Sequence, residues 1–461
     1  MPVNRLKSFF SNTPHRGRGG IPSPFALIRR YIERARSFRA NNPVAANYAI
    51  DGLLVIGALN LAASNNNIFA QRLGAGDFHL TMLQFLPQSI NLLILIPVGL
   101  FADSLRNKAR LVSGALVCTS FLFMVVAGLA FVFDQPLYLF LIFLALANAS
   151  TMVYNIAWLG FFPEVVEDHK RNMVLTLRSR VSILISMLMP LISGGILASI
   201  PSEEGKILAH QVFYAMVAVM LIGNAFHLRK LKAINPAPPK KIKLSEIKKA
   251  ASRLRGNKPF IIFAGVALFF HMSWQMDWTL YFIGQANYLQ MNEFQLSLGV
   301  VGSTFSQFIT IKFWSKRNQR YGVEKPVISG ILGLSFLPIG MIIATALPIS
   351  FGVVAFLIMH TLGLLFFATI GLNMFQCLLP VLDEEYRSFS VSVYTCLITL
   401  SNATMPVVGV AIYRGLGGNV VSLRITFGIV FVLRIIAAGL WWLRIKHSAK
   451  TKPELEAQPG N

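Results

Sequence analysis

The residues with chemistry to offer are few, and most stand inside apolar sequence. The stretch "FFHMSWQMDWTLYFIGQ", residues 269–285, holds His271, Trp274, Gln275, Asp277, Trp278 and Tyr281. His271, Gln275 and Trp278 fall at i, i+4 and i+7, which is one face of a helix. An imidazole, an amide and indole rings together suit an organic solute, and His271 or Asp277 can exchange a proton. Trp278 and Tyr281 also suit an aromatic belt at a membrane interface. A second acid, Asp51, sits in "NYAIDGLLVIG", and two cations, Arg178 and Arg180, sit in "LTLRSRVSI". A pair between Asp51 and Arg178 or Arg180 can serve as a structural bridge, a gate or a protonation switch. Neutral polar residues recur near the centres of other apolar runs: Asn60, Gln88, Asn91, Asn148, Gln307, His360 and Asn402. They read either as a hydrogen-bonding wall for a polar or amphiphilic solute or as bonds that hold helices together.

Other chemistries have no pattern here. The chain carries no H-E-x-x-H, no Ser nucleophile elbow, no Asp-rich metal cluster and no Walker-type loop, so no metal, no cofactor, no enzymatic activity and no direct use of ATP is expected. Its three cysteines, Cys118, Cys377 and Cys396, stand in apolar runs without pairing or metal spacing and read as small core residues.

The elements that must position these residues follow from composition. The 461 residues are 54% hydrophobic and only 13% charged, against about 25% charged in soluble domains. The net charge of +23 does not point to nucleic acid, because the basic residues fall in short segments between apolar runs. About 20 residues cross a ~30 Å hydrocarbon core. Runs of that kind occur at about 44–70, 79–103, 111–134, 136–162, 173–200, 208–229, 259–289, 295–317, 326–348, 350–378, 388–413 and 421–444. None alternates as an outer-membrane strand does. The fold class is therefore an all-α membrane protein with twelve transmembrane helices. Nearly all of the 42 basic residues lie on one side; Arg72, Lys206, Arg414 and Arg424 lie on the other. That bias places both termini in the cytoplasm of a multi-pass inner-membrane protein. Two basic segments, "PSPFALIRRYIERARSFRA" and "LSEIKKAASRLR", read either as interfacial helices on anionic lipid head groups or as a solvated tail and linker.

The chain also repeats itself. A shift of 216 residues takes Asn41–Pro43 onto Asn257–Pro259, Ser113 and Gly114 onto Ser329 and Gly330, Arg171 onto Arg387, and Pro190 onto Pro406. The organisation expected is a basic tail over 1–43, a six-helix bundle over 44–229, a basic linker over 230–258, a second and parallel bundle over 259–446, and a tail over 447–461. Parallel halves of this kind build transporters.

With twelve spans and this repeat, the loop "GLFADSLRNKAR" resembles the Gly-x-x-x-Asp-Arg-x-Gly-Arg/Lys-Arg/Lys pattern of the major facilitator superfamily. Gly99, Asp103, Lys108 and Arg110 match it, while Ser104 and Arg106 depart from it. The loop after helix 8 keeps Lys316, Arg317, Arg320 and Gly322 but has Gln319 where an acid is expected.

The resemblance implies a secondary active transporter, moving a small polar or amphiphilic organic solute by rocking alternating access. It further implies coupling to protons through Asp51 and Asp277, and action as a monomer. It implies a cavity lined by helices 1, 4, 7 and 10, with Asn60, Gln88, Asn148, His271, Trp274, Gln275 and His360 as the binding residues. It also implies an inner gate. Gly99 lets helix 2 approach a neighbour, and Asp103 faces the N-terminus of helix 11, a contact worth about 1–2 kcal/mol. Lys108, Arg110, Arg171 and Arg387 stand around that gate. The stretch "LMPLISGGIL" resembles a Gly-Pro-Gly-Gly pattern of proton exchangers without its first Gly, and reads equally as a kink with close helix packing. A lipid flippase and a non-transporting sensor are the alternatives.

Overall fold

The computed structural model describes residues 40–105, 107–231, 244–383 and 385–456, with 33, 37 and 234 besides. The side chains of Leu100, Asp103, Asp168, Arg387, Ser388 and residues 244–247 and 448–456 lie outside that description, and so does most of the basic tail read as interfacial. Among the described residues all regular structure is helical, and twelve helices are long and apolar enough to cross a membrane. In the first half they are α1 (Pro43–Arg72), α2 (Asp77–Ser104), α3 (Lys108–Val132), α4 (Leu137–Val165), α5 (Asp168–Ser199) and α6 (Glu203–Leu228). In the second they are α7 (Lys258–Tyr288), α8 (Glu293–Tyr321), α9 (Glu324–Ala346), α10 (Ile349–Val381), α11 (Arg387–Gly415) and α12 (Val420–Glu456). Their boundaries are chemical: Asn107, Ser202, Asn257 and Asn292 each accept a hydrogen bond from the first turn of the helix they precede, which satisfies N–H groups that have no intrahelical partner.

The repeat is visible in the packing. In the first half α1 packs on α5 and α6, α4 on α2 and α3, and α3 on α6. The same pairings recur as α7 with α11 and α12, α10 with α8 and α9, and α9 with α12. The halves meet along two equivalent seams, α2 with α11 and α5 with α8. α1 and α7 begin, and α6 and α12 end, at one end of this bundle, called here the linker end; the other is the far end.

Two helices that read as continuous in the sequence are interrupted. α7 breaks at Met276–Asp277, and α10 turns at Leu365–Phe366. A break in a water-free bundle exposes carbonyls that must find donors. Trp314 Nε1 donates to Leu365 O at 2.8 Å. Arg434, fully buried on α12, donates to Trp274 O at 3.1 Å, to Leu334 O at 2.7 Å and to Asp277 Oδ2 at 2.7 Å. Gly409 of α11 lies against the Met276 carbonyl, where any Cβ would collide with it. Asp277 therefore lies off the face shared by His271, Gln275 and Trp278. Its side chain and that of Arg434 are both 0% exposed, enclosed where α7 meets α9 and α12.

Removing one partner of an enclosed pair leaves the other charge bare, at a cost of about 3–5 kcal/mol. Asp277→Asn and Arg434→Leu are each expected to lower the melting temperature of the detergent-solubilised protein by several degrees. The double variant Asp277→Asn/Arg434→Gln, which keeps an amide donor for the Trp274 carbonyl, is expected to recover most of the loss. Single variants that melt with the wild type would contradict this role.

Candidate functional site

In the first half the polar centre forms around Asp51, which is fully buried. Its Oδ1 accepts from Tyr154 Oη of α4 at 3.0 Å and from Asn224 Nδ2 of α6 at 2.8 Å. Its Oδ2 accepts from Trp158 Nε1 of α4 at 3.2 Å and from Arg178 Nε of α5 at 2.9 Å. Three helices thus converge on one carboxylate of α1. The Arg178 guanidinium also lies over the Trp158 ring, 4.3 Å from its centroid, a cation–π contact. Gly52 makes the crossing possible, because a Cβ there would sit 2.8 Å from Arg178 Cγ. Of the two cations considered for Asp51, the structure sets Arg178 against it; Arg180 is exposed. Four donors fill the acceptor positions of the carboxylate.

In the second half an aromatic wall surrounds two histidines. The Trp274 ring stacks with Phe270 at 5.9 Å, meets Phe367 of α10 at 4.8 Å and takes Trp278 edge-on at 5.5 Å. Trp274 and Trp278 are half-buried, whereas His271 is 8% exposed and Gln275 1%. His271 Nδ1 is 3.4 Å from Gln275 Nε2; His271 Nε2 and Gln275 Oε1 meet no partner. His360 of α10 stacks on Phe356 at 5.0 Å, has Tyr281 at 5.7 Å, and shares a bond of 3.2 Å with Ser303 of α8, leaving Nδ1 unpartnered. The i, i+4, i+7 face read from sequence is therefore divided by depth. The indoles form its surface, and the imidazole and amide lie beneath.

Of the amides read as a wall Asn91 is buried and the others are half-buried, and three of them turn back on their own helices. Asn60 donates to Ile56 O at 2.8 Å, Asn148 to Leu144 O at 2.9 Å and Gln307 to Ser303 O at 3.3 Å, which leaves each side-chain carbonyl oxygen as the outward group. Gln88 is half-buried on α2.

Of the residues expected at the inner gate, Gly99, Lys108, Arg110 and Arg171 are described. Gly99 has no described atom within 4 Å of the position its Cβ would take. Lys108 is buried and bonds Glu164 at 2.6 Å, which ties α3 to α4 inside one half. Arg171 donates to Pro163 O at 2.9 Å and Val166 O at 3.2 Å, closing the end of α4. Arg110 is exposed on the first turn of α3. The side chains of Asp103 and Arg387 lie outside the described residues. At this end Arg253 of the linker helix Leu244–Gly256 pairs with Glu385, and that carboxylate raises the Arg253 pKa.

Charge does join the halves at the far end, which sequence reasoning missed. Glu293 of α8 pairs with Arg72 of α1 and, at 3.0 Å, with Lys206 of α6. Arg72 also reaches Glu203 at 3.0 Å and His210 Nε2 at 2.8 Å. Arg414 of α11 is 3.3 Å from Asp77 of α2, and Gln71 donates to Asn287 across the seam at 3.3 Å. A cavity of about 310 Å³ lies between the halves here, lined in part by Gln71, Arg72, Glu203, Asn292 and Glu293. Gly194 fits against Ser297 and the Glu293 carbonyl, so "LMPLISGGIL" serves close packing. The signal was present: Arg72, Lys206 and Arg414 are three of the four basic residues set apart on this side by the charge bias.

Comparison with known proteins accords with this architecture. No curated protein matches the sequence. Similar solved structures include a bacterial homologue of the iron transporter ferroportin in an inward-facing state, with a TM-score of 0.69 and 13% identity over 87% of this chain and 98% of that one. The nucleoside transporter NupG gives a TM-score of 0.67 and 11% identity over 87% of this chain and 99% of that one. A D-xylose–proton symporter gives 0.62 and 14% over 88% and 97%. Identities this low speak for the fold alone. The profile of the Major Facilitator Superfamily, however, matches residues 44–382, and the chain belongs to that family of membrane transporters.

Proposed function

We propose that this protein is a secondary transporter that carries a small polar or amphiphilic organic solute by rocking its two halves about a shared polar centre. The observation that carries the reading is Glu293, which bridges Arg72 and Lys206 across the halves at the far end. The side chains of Arg72 and Glu293 are 10% and 9% exposed, while Glu203 and Arg414 are 69% and 56% exposed. The exposed pairs contribute about 0–1 kcal/mol each, so the closure is strong enough to select a state and weak enough to break. With the linker end in the cytoplasm, as the positive-inside bias favours, the closed end is the outer one.

Asn60, Gln88, Asn148, His271, Trp274, Gln275 and His360 form the cargo site in this reading. Unpartnered buried polar atoms at His271, Gln275 and His360 support it, since such groups are costly unless a ligand meets them. Proton coupling falls to Asp51 and Asp277 in this reading, the two acids enclosed within the halves. Exposed Lys248 and Lys249 on the linker helix, opposite the buried Ala250 and Leu254, favour contact with anionic head groups.

Three outcomes test this reading. Glu293→Gln removes the bridge, and a coupling of about 1–3 kcal/mol predicts roughly 5- to 150-fold greater opening of the far end. It is read as alkylation of Ile68→Cys by a membrane-impermeant maleimide; unchanged labelling would contradict the gate. His271→Phe fills the same space without an orphaned nitrogen, so melting temperature should hold or rise while stabilisation by the cargo found in a solute screen disappears. A lower melting temperature with cargo stabilisation intact would make His271 structural. Uptake driven by a pH jump should be lost in the folded Asp277→Asn/Arg434→Gln protein, and its persistence would remove Asp277 from coupling.

A further inference from the structure

We propose that Arg178 is the receptor for an oxyanion on the cargo, so that the transported solute is an organic carboxylate or phosphate ester. The inference rests on the transport reading above and names its substrate class. Arg178 bonds Asp51 through Nε and also meets the Tyr154 hydroxyl, which leaves part of its five N–H groups unspent. The side chain is 18% exposed, so those groups stand at a surface and not in the core.

The direction of that surface follows from the helices. α6, which supplies Asn224 to Asp51 Oδ1, packs on α1 and α3 and so lies away from the other half. α5, which supplies Arg178 to Oδ2, packs on α1 and on α8 of the other half. Arg178 therefore approaches the carboxylate from the side on which the two halves meet. It crosses α1 at Gly52, where no side chain obstructs it.

The guanidinium is also held still. Asp51 fixes one edge, and the Trp158 ring lies beneath at 4.3 Å. Trp158 is itself fixed by Tyr48 edge-on at 5.9 Å and by Phe162 stacked at 5.1 Å. A planar fork immobilised in this way loses little entropy on binding and matches the two oxygens of a carboxylate or phosphate. Two buried hydroxyls in the neighbourhood have no described partner. Ser182 Oγ lies 2.9 Å from the position a Gly52 Cβ would take, beside Arg178 Cγ, and Tyr48 Oη belongs to the ring that props Trp158. Both are donors of the kind an oxyanion uses.

Binding of sodium benzoate, phenyl phosphate and benzamide to the purified protein in nanodiscs, at constant ionic strength, tests the assignment. At least one of the two anions is expected to bind about tenfold or more tighter than benzamide, the range a charged hydrogen bond gives. Benzoate ahead of phenyl phosphate assigns a carboxylate cargo, the reverse a phosphate ester. Arg178→Lys should reduce the preference. The double variant Asp51→Asn/Arg178→Gln, which leaves no charge unpaired, should abolish it with the protein still folded. Phenylglyoxal should modify Arg178, read by peptide mass spectrometry, and the bound anion should slow it where benzamide does not. Equal or absent binding of all three probes, a preference that survives in the double variant, or an unmodified Arg178 would overturn the proposal. Anion binding that persists while counterflow fails would strike the transport reading alone.

Discussion

A charge enclosed by hydrocarbon has no water to turn to, and this constraint organises the molecule. Insertion of an ionised side chain near mid-bilayer costs about 2.5–3.5 kcal/mol on translocation scales, so every such group must be met inside the bundle. Asp51 is met by four donors from three helices, Asp277 by Arg434, and Lys108 by Glu164. Each of these contacts joins helices of one half. They turn each half into a body whose internal geometry is expensive to change.

The contacts between halves are of another kind. Glu293 with Arg72 and Lys206, and Asp77 with Arg414, sit at one end of the seams, in part exposed to solvent. Seams made of α2 with α11 and α5 with α8 are equivalent under the repeat, so rotation about them treats both halves alike. Rigid halves, symmetric seams and a closure confined to one end are what a rocking motion requires.

Much of this was legible in the sequence, because length and apolarity define a span and a constant offset defines a duplication. An arginine partner for Asp51, Arg178 or Arg180, was legible because depth from the linker end sets which cations lie level with it; Tyr154, Trp158 and Asn224 were not. Nor was the direction of Asp277. His271, Gln275 and Trp278 mark one face of α7, but Asp277 lies off that face and periodicity does not say which element it meets. Nothing local marked the break at Met276–Asp277 either, since it depends on Arg434, distant in the chain. The inner gate was legible only as a family pattern, and the Asp103 and Arg387 side chains lie outside the described residues. The far-end bridges were missed because Arg72, Lys206 and Arg414 were read for topology and not for partners.

The central claim is that the two ends open in opposition. Spin labels at Glu204 and Asn287 report on the far end, and labels at Asn172 and Gln376 on the linker end; each pair spans the halves and all four residues are exposed. Pulsed electron paramagnetic resonance on the protein in nanodiscs gives both distance distributions, first in low salt and then in about 1 M salt, where the Debye length falls to about 3 Å and partly exposed pairs are screened. The account predicts a short far-end distance in low salt that lengthens with salt while the linker-end distance shortens in proportion. Two distributions that stay fixed, or that widen together, would contradict it.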